Sequence, residues 1–139
     1  MKKQEVISKD VALEDLEKFI NSFVKKPVAS TELEDNYPGV LEAIMDGYLS
    51  FDENQNPKFK LKNPIKDEAG NDAVSEVTFR TRIKPTQLAD LAKGLHPQKE
   101  VFTLQLRMTS YIIDAPVAML DKFSRYDYDV ISQVASVFT

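Results

Sequence analysis

Chemistry needs particular side chains at particular spacings, and this chain offers few of them. Its one histidine, His96, lies in Gly94-Leu95-His96-Pro97, a loop context behind a helical segment. A Ser-His-Asp arrangement would need an activated serine, and no Gly-x-Ser-x-Gly elbow occurs in the sequence. The absence of cysteine removes disulfides, thiolate metal sites and cysteine nucleophiles together. Asp52, Asn54 and Asn56 match the first three ligand positions of an EF-hand loop. Pro57, however, stands where glycine is required and Asn63 where the bidentate glutamate belongs. The second acidic turn, 67–72, has its glycine too early relative to its carboxylates, so both segments read as solvated hairpin turns. Four glycines form no phosphate-cradling loop, and no Walker or dinucleotide fingerprint is present. Glu14 with Asp15 and Glu34 with Asp35 are paired carboxylates on polar faces, without the burial that acid catalysis uses. Arg80, Arg82 and Lys84 form one basic strip and Lys58, Lys60 and Lys62 another. Each reads as a charged outer face guarding a sheet edge, with a phosphate site as the alternative. The expectation is a protein with no catalytic residues, no cofactor and no metal.

The elements that would position such groups follow from the hydropathy pattern. The chain has 139 residues, 42% hydrophobic and 29% charged, an ordinary composition for one globular domain. A net charge of -4 argues against nucleic-acid binding. The longest stretch without a charged residue, Val130 to Thr139, is too short for a membrane span. The charged start, Met1-Lys2-Lys3-Gln4-Glu5, is unlike a signal core, and with the missing cysteine it points to a reducing cytoplasm. Asp10 reads as an N-cap ahead of Leu13, Leu16, Ile20 and Phe23, giving a helix over about residues 11–25 that Pro27 stops. Residues 27–36 read as a polar linker, and Pro38 opens a short helix that Gly47 ends.

From Tyr48 the period changes to two. Strands around Leu49 to Phe51, Phe59 to Ile65 and Val74 to Ile83 are separated by turn clusters at 52–57 and 67–72, an antiparallel meander. Beyond Pro85, Thr86 caps a short helix that Gly94 terminates. Residues 101–113 fit both a strand and a helix, and their length favours the helix. Ala115-Pro116 begins another short turn of helix, and Ser124 with Asp127 resembles a capping box opening the last helix. The fold class is α+β in a single domain, 1–139. Its parts are an N-terminal helical extension (1–50), a small antiparallel β-meander (48–83) and a helical region (84–139).

Hydrophobic surface is what remains. The last helix carries Tyr126, Tyr128, Val130, Ile131, Val134, Val137 and Phe138, a wider apolar face than a thin stripe needs. One reading is core packing; the other is an exposed stripe that receives a partner helix. On the second reading the partner surface comprises Tyr126, Val130, Val134, Val137 and Phe138, with Leu104, Met108 and Tyr111 as neighbours. Aspartate at 134 and 137 would then weaken binding without unfolding the protein.

The order of signals resembles a known family. Leu61-Lys62-Asn63-Pro64-Ile65 is followed by an acidic turn with Gly70, then Val74-Ser75-Glu76-Val77-Thr78-Phe79-Arg80, then Lys84-Pro85-Thr86 and Asp90-Leu91. Leu120, Ser124, Asp127 and Tyr128 then lead into a helical tail. These pieces resemble the tail assembly chaperones of long-tailed bacteriophages and Mu-like prophages. That family has a Leu-Lys-x-Pro-Ile strand, a Glu-x-Thr-x-Arg strand, a Pro-Thr-x-x-Asp-Leu helix start and a Leu-x-x-x-Ser-x-x-Asp-Tyr step. The likeness covers about residues 57–139, with Thr81 to Lys84 intervening between Arg80 and Pro85 where the family runs more directly into its proline. The resemblance implies a non-enzymatic assembly factor of the host cytoplasm that binds the tape-measure protein and tail-tube protein, self-associates, and is missing from the mature virion. The rival expectation is a structural virion component, such as a tail completion or adaptor protein.

Overall fold

A computed structural model describes residues 7–24, 30–96 and 98–138. Helix α1 (Lys9–Phe23) is amphipathic and buries Ala12, Leu16, Phe19 and Ile20. Its N-cap is Ser8, whose hydroxyl accepts from the Val11 amide, and not Asp10, which lies in the first turn. The helix also ends at Phe23, two residues before the expected stop. The expected linker is in part a helix, α2 (Ser30–Asn36), while residues 25–29 lie outside the described residues. One buried side chain, Leu33, anchors α2, and Glu34 pairs with Lys9 of α1. A lone apolar anchor leaves no periodicity in a sequence, which is why this helix does not show there.

Helix α3 (Pro38–Met45) starts on its proline as expected. Its N-cap, Tyr37, makes no side-chain cap; Gln133 Oε1 takes that place, accepting from the Gly39 and Val40 amides at 3.0 and 3.2 Å. A side chain at Gly39 would bring its Cβ to 3.0 Å from Gln133 Nε2, so glycine permits the approach.

Strands β1 (Leu49–Phe51), β2 (Pro57–Lys66) and β3 (Asp72–Thr78) form an antiparallel sheet in the order β1-β2-β3. Phe59 lies between Leu49 and Val77 across the three strands, and all three are buried. Lys58 and Lys60 alternate onto the exposed face. Regular pairing breaks between Lys60 and Ile65, leaving a bulge at the Leu-Lys-x-Pro-Ile segment. Strand β3 stops at Thr78 rather than running to Ile83. The Arg80 amide leaves the ladder and donates to Ile112 O at 2.7 Å.

The C-terminal half is helical, as expected: α4 (Pro85–Ala92), α5 (Val101–Ile112), α6 (Val117–Leu120) and α7 (Arg125–Ser136). Residues 101–112 are helix, so length decides between the two periods. Lys84, not Thr86, is the N-cap of α4. Buried side chains of α1, α3, β1, β2, α5 and α7 form one continuous core. Residues 7–24 and 30–50 therefore contribute to the same core as the C-terminal helices.

A candidate interaction surface on the C-terminal helices

The expected stripe on α7 resolves into two environments. Val130 and Val134 are 0% exposed and belong to the core, on a helix whose main neighbours are α3, α5 and β2. Val134→Asp would therefore bury an unpaired carboxylate and unfold the protein, so it does not probe a surface as expected. Phe138 is half-buried in an aromatic cluster, edge-on to Phe23 and Phe19 with centroids at 4.9 and 5.8 Å. Phe19 in turn stacks on Phe51 at 4.5 Å. Val137 is half-buried against the same core.

Tyr126 is also half-buried. The Lys62 ammonium lies 4.6 Å from its ring centroid, and its hydroxyl donates to Asp46 Oδ2 at 3.3 Å. Burial, reinforced by the Asp46 carboxylate, pushes its phenol well above the usual tyrosine range. A tyrosine held this way links α7, β2 and the turn after α3. It is a structural joint.

The three expected neighbours sit on α5 and are all half-buried. Tyr111 lies under the Arg80 guanidinium, 4.7 Å from its centroid, and Arg80 also donates to Tyr111 O at 2.9 Å and Asp114 Oδ1 at 2.8 Å. Arg80 thus closes the carboxyl end of α5, where the helix dipole favours a cation. It is consumed by the fold and is not part of a phosphate strip.

Met108 is different. It lines a groove of about 260 Å³ together with Gln105 and Thr109 of α5 and Tyr128, Ser132, Ala135 and Ser136 of α7. Exposure grades along α5 toward this groove and beyond it. The stripe Phe102, Leu106, Thr109, Ile113 runs from 78% exposed at Phe102, through half-buried Leu106, to 7% and 8% at Thr109 and Ile113. The stripe Val101, Leu104, Met108, Ile112 runs likewise from 43% exposed to 0%. The first two turns of α5 therefore carry core-type residues past the end of the core. Phe102 is not among the residues expected at the surface because it falls in the strand alternation of Phe102, Leu104, Leu106 and Met108 and off the helical stripe Val101, Leu104, Met108, Tyr111 and Ile112.

The acidic turns are hairpin turns. Asp52 Oδ1 accepts from the Asn54 and Asn56 amides at 2.8 and 2.9 Å, which together with the Asn56 side chain lowers its carboxyl pKa, the Asn56 amide most of all. Asp67 Oδ1 accepts from Ala69 and Asn71 at 2.9 Å each. One oxygen of each aspartate, Asp52 Oδ1 and Asp67 Oδ1, thus holds the backbone of its own turn. His96 is exposed, its Nδ1 accepting from the Gln98 and Lys99 amides at 3.3 Å. Among the described residues no cluster of three or more acidic, histidine or cysteine side chains could hold a metal, and no helix is long and apolar enough to cross a membrane.

Neither a protein-family model, nor a curated protein, nor a solved structure matches this chain.

Proposed function

We propose that this chain is a non-catalytic assembly chaperone for phage or prophage tails that holds an apolar helix of the tape-measure protein. The observation that carries the reading is the α5–α7 groove, continued by Phe102 and Val101 beyond the core. A helix laid along this groove would cover Met108 and Tyr128 in its lining and Phe102 beyond it, the arrangement of helix-in-groove recognition. A tape-measure chain exposes apolar helical stripes before a tube encloses it, and such stripes aggregate unless covered. The family resemblance of residues 57–139 supports the same reading. Two of its motifs touch: Asp127, from the Ser-x-x-Asp-Tyr step, accepts from the Lys62 and Asn63 amides of the Leu-Lys-x-Pro-Ile segment. That contact gives two short, distant motifs a physical reason to occur together. On this reading the protein works in the host cytoplasm, hands the complex to tail-tube subunits, self-associates, and is absent from finished particles.

The test is co-expression with the tape-measure protein of the same phage or prophage, followed by affinity capture and light scattering. A soluble complex is expected where the tape-measure protein alone is insoluble. Phe102→Asp with Met108→Asp should reduce capture at least ten-fold while leaving the circular dichroism spectrum unchanged. A tape-measure protein that aggregates regardless, or this chain found in purified virions, would replace the chaperone reading with that of a virion component.

A further inference from the structure

We propose that α4, with the residues that close its carboxyl end, is a strap that opens from α5 as one unit, and that the Arg107 guanidinium is its latch. Helix α4 buries none of its eight residues, and Leu88 on it is 42% exposed. Its N-cap, Lys84, makes no side-chain cap bond. Helices this short are not stable by themselves in water, so α4 holds its shape through what it touches. What it touches is α5, its main neighbour in the fold. The polar part of that contact is one side chain: Arg107 Nη1 donates to Leu91 O at 2.9 Å and Lys93 O at 3.1 Å. Both carbonyls lie at the negative end of the α4 dipole, where a guanidinium is most effective.

The apolar part is thin. Leu91 is half-buried over a shallow cleft of about 360 Å³ whose far wall includes Ser110, Tyr111 and Pro116. Both ends of the strap can turn. Residues 79–84 are irregular, and Gly94 sits at φ 79°, a backbone state that glycine enters without strain. The base does not depend on the strap. Arg80 ties residue 80 to the carboxyl end of α5 through its amide, its Nε and its guanidinium, all outside α4. Opening therefore leaves α5 seated while it bares Leu91 and the Tyr111 side of α5, on the helix that also carries Phe102. Local openings of this kind draw on the least buried parts of a fold, and α4 is the least buried helix described here that is longer than one turn. The inference rests on this geometry and not on the chaperone reading.

Hydrogen exchange of the whole protein tests it. In the wild type, the amides of Leu88 to Lys93 should exchange at least ~100-fold faster than those of Val130 to Val134. Their rates should not respond to urea below the unfolding transition, because little surface is exposed in the opening. Arg107→Ala should accelerate the α4 amides a further ten-fold or more and leave those of α7 and β2 unchanged. Arg107→Lys, which keeps the charge and loses the fork, should fall between. Equal rates for α4 and α7, or acceleration of all amides together in Arg107→Ala, would overturn the strap. Unchanged α4 rates in that variant would overturn the latch. If Arg107→Ala does not fold, the urea response of the wild type decides.

Discussion

Asp127 is 0% exposed, and its carboxylate serves two elements at once. Oδ2 accepts from the Ser124 hydroxyl at 2.9 Å and the Asn63 amide at 3.0 Å, and Oδ1 accepts from the Lys62 amide at 2.9 Å. Ser124 in return accepts from the Asp127 amide, which caps α7. Removing the carboxylate takes away the acceptor that the Lys62 and Asn63 amides use where the ladder breaks. Bonds to a charged acceptor are worth about 1.5–3 kcal/mol each in net terms, and the losses are not additive. Asp127→Ala should therefore lower unfolding stability by about 3 kcal/mol, and Asp127→Asn by less, since one acceptor oxygen survives. Urea denaturation measures both. A loss below about 1 kcal/mol for the alanine variant would show that the bulge is held by packing alone. The capping half of this site was legible, because Ser and Asp three apart is a local signal. The strand half was not, since nothing near Asp127 in the chain names partners 64 and 65 residues away. Gln133 capping α3 is invisible for the same reason.

At the scale of elements, the two hairpins share one design. Asp52-Glu53-Asn54-Gln55-Asn56 and Asp67-Glu68-Ala69-Gly70-Asn71 each close with the Asp amide donating to the Asn carbonyl, at 3.1 and 2.8 Å. Each places its fourth residue in the left-handed region, Gln55 at φ 64° and Gly70 at φ 82°. A side chain in that conformation costs about 1 kcal/mol against glycine. Gln55→Gly should stabilise the protein by about 0.5–1 kcal/mol, and Gly70→Ala should destabilise it by a similar amount. The Gly70 penalty would come from the backbone alone, because no atom lies within 4 Å of the added Cβ. Thermal melts of the pair should move in opposite directions by about 3 °C, and a shift of the same sign in both would refute the shared geometry. These turns were readable as turns from their composition. The EF-hand-like spacing of Asp52, Asn54 and Asn56 arises because one carboxylate must reach amides two and four residues on. Strand β3 ends five residues short of its sequence alternation, which continues through Phe79 and Thr81 while the hydrogen bonds of Arg80 turn to α5.

For the molecule as a whole, α1 and the turn that follows α7 are one packing unit although they lie far apart in the chain. Phe23 and Phe138 meet edge to face at 4.9 Å, and Phe19 bridges both to Phe51 of β1. A stripe on α7 read alone could face either a partner or the chain's own core, and periodicity cannot distinguish the two. Burial of Val130 and Val134 with Leu16 and Ile20 in one cluster decides for the chain itself. Exposed apolar surface is found instead at the start of α5, at Val101 and Phe102, where the core runs out. This arrangement predicts one cooperative transition. Far-ultraviolet dichroism and the tyrosine signal, the latter available without interference because the chain has no tryptophan, should give the same urea midpoint. Phe138→Ala should cost about 2 kcal/mol, less than a fully buried phenylalanine because the ring is half-exposed. It should also accelerate hydrogen exchange in α1 as much as in α7, because the ring sits in the turn that follows α7 and packs on Phe19 and Phe23 of α1. Exchange that rises in α7 alone, or a first transition in which α1 melts separately, would make the N-terminal helices an appended unit. They would then be candidates for a contact of their own, and not the wall that closes the core behind the groove.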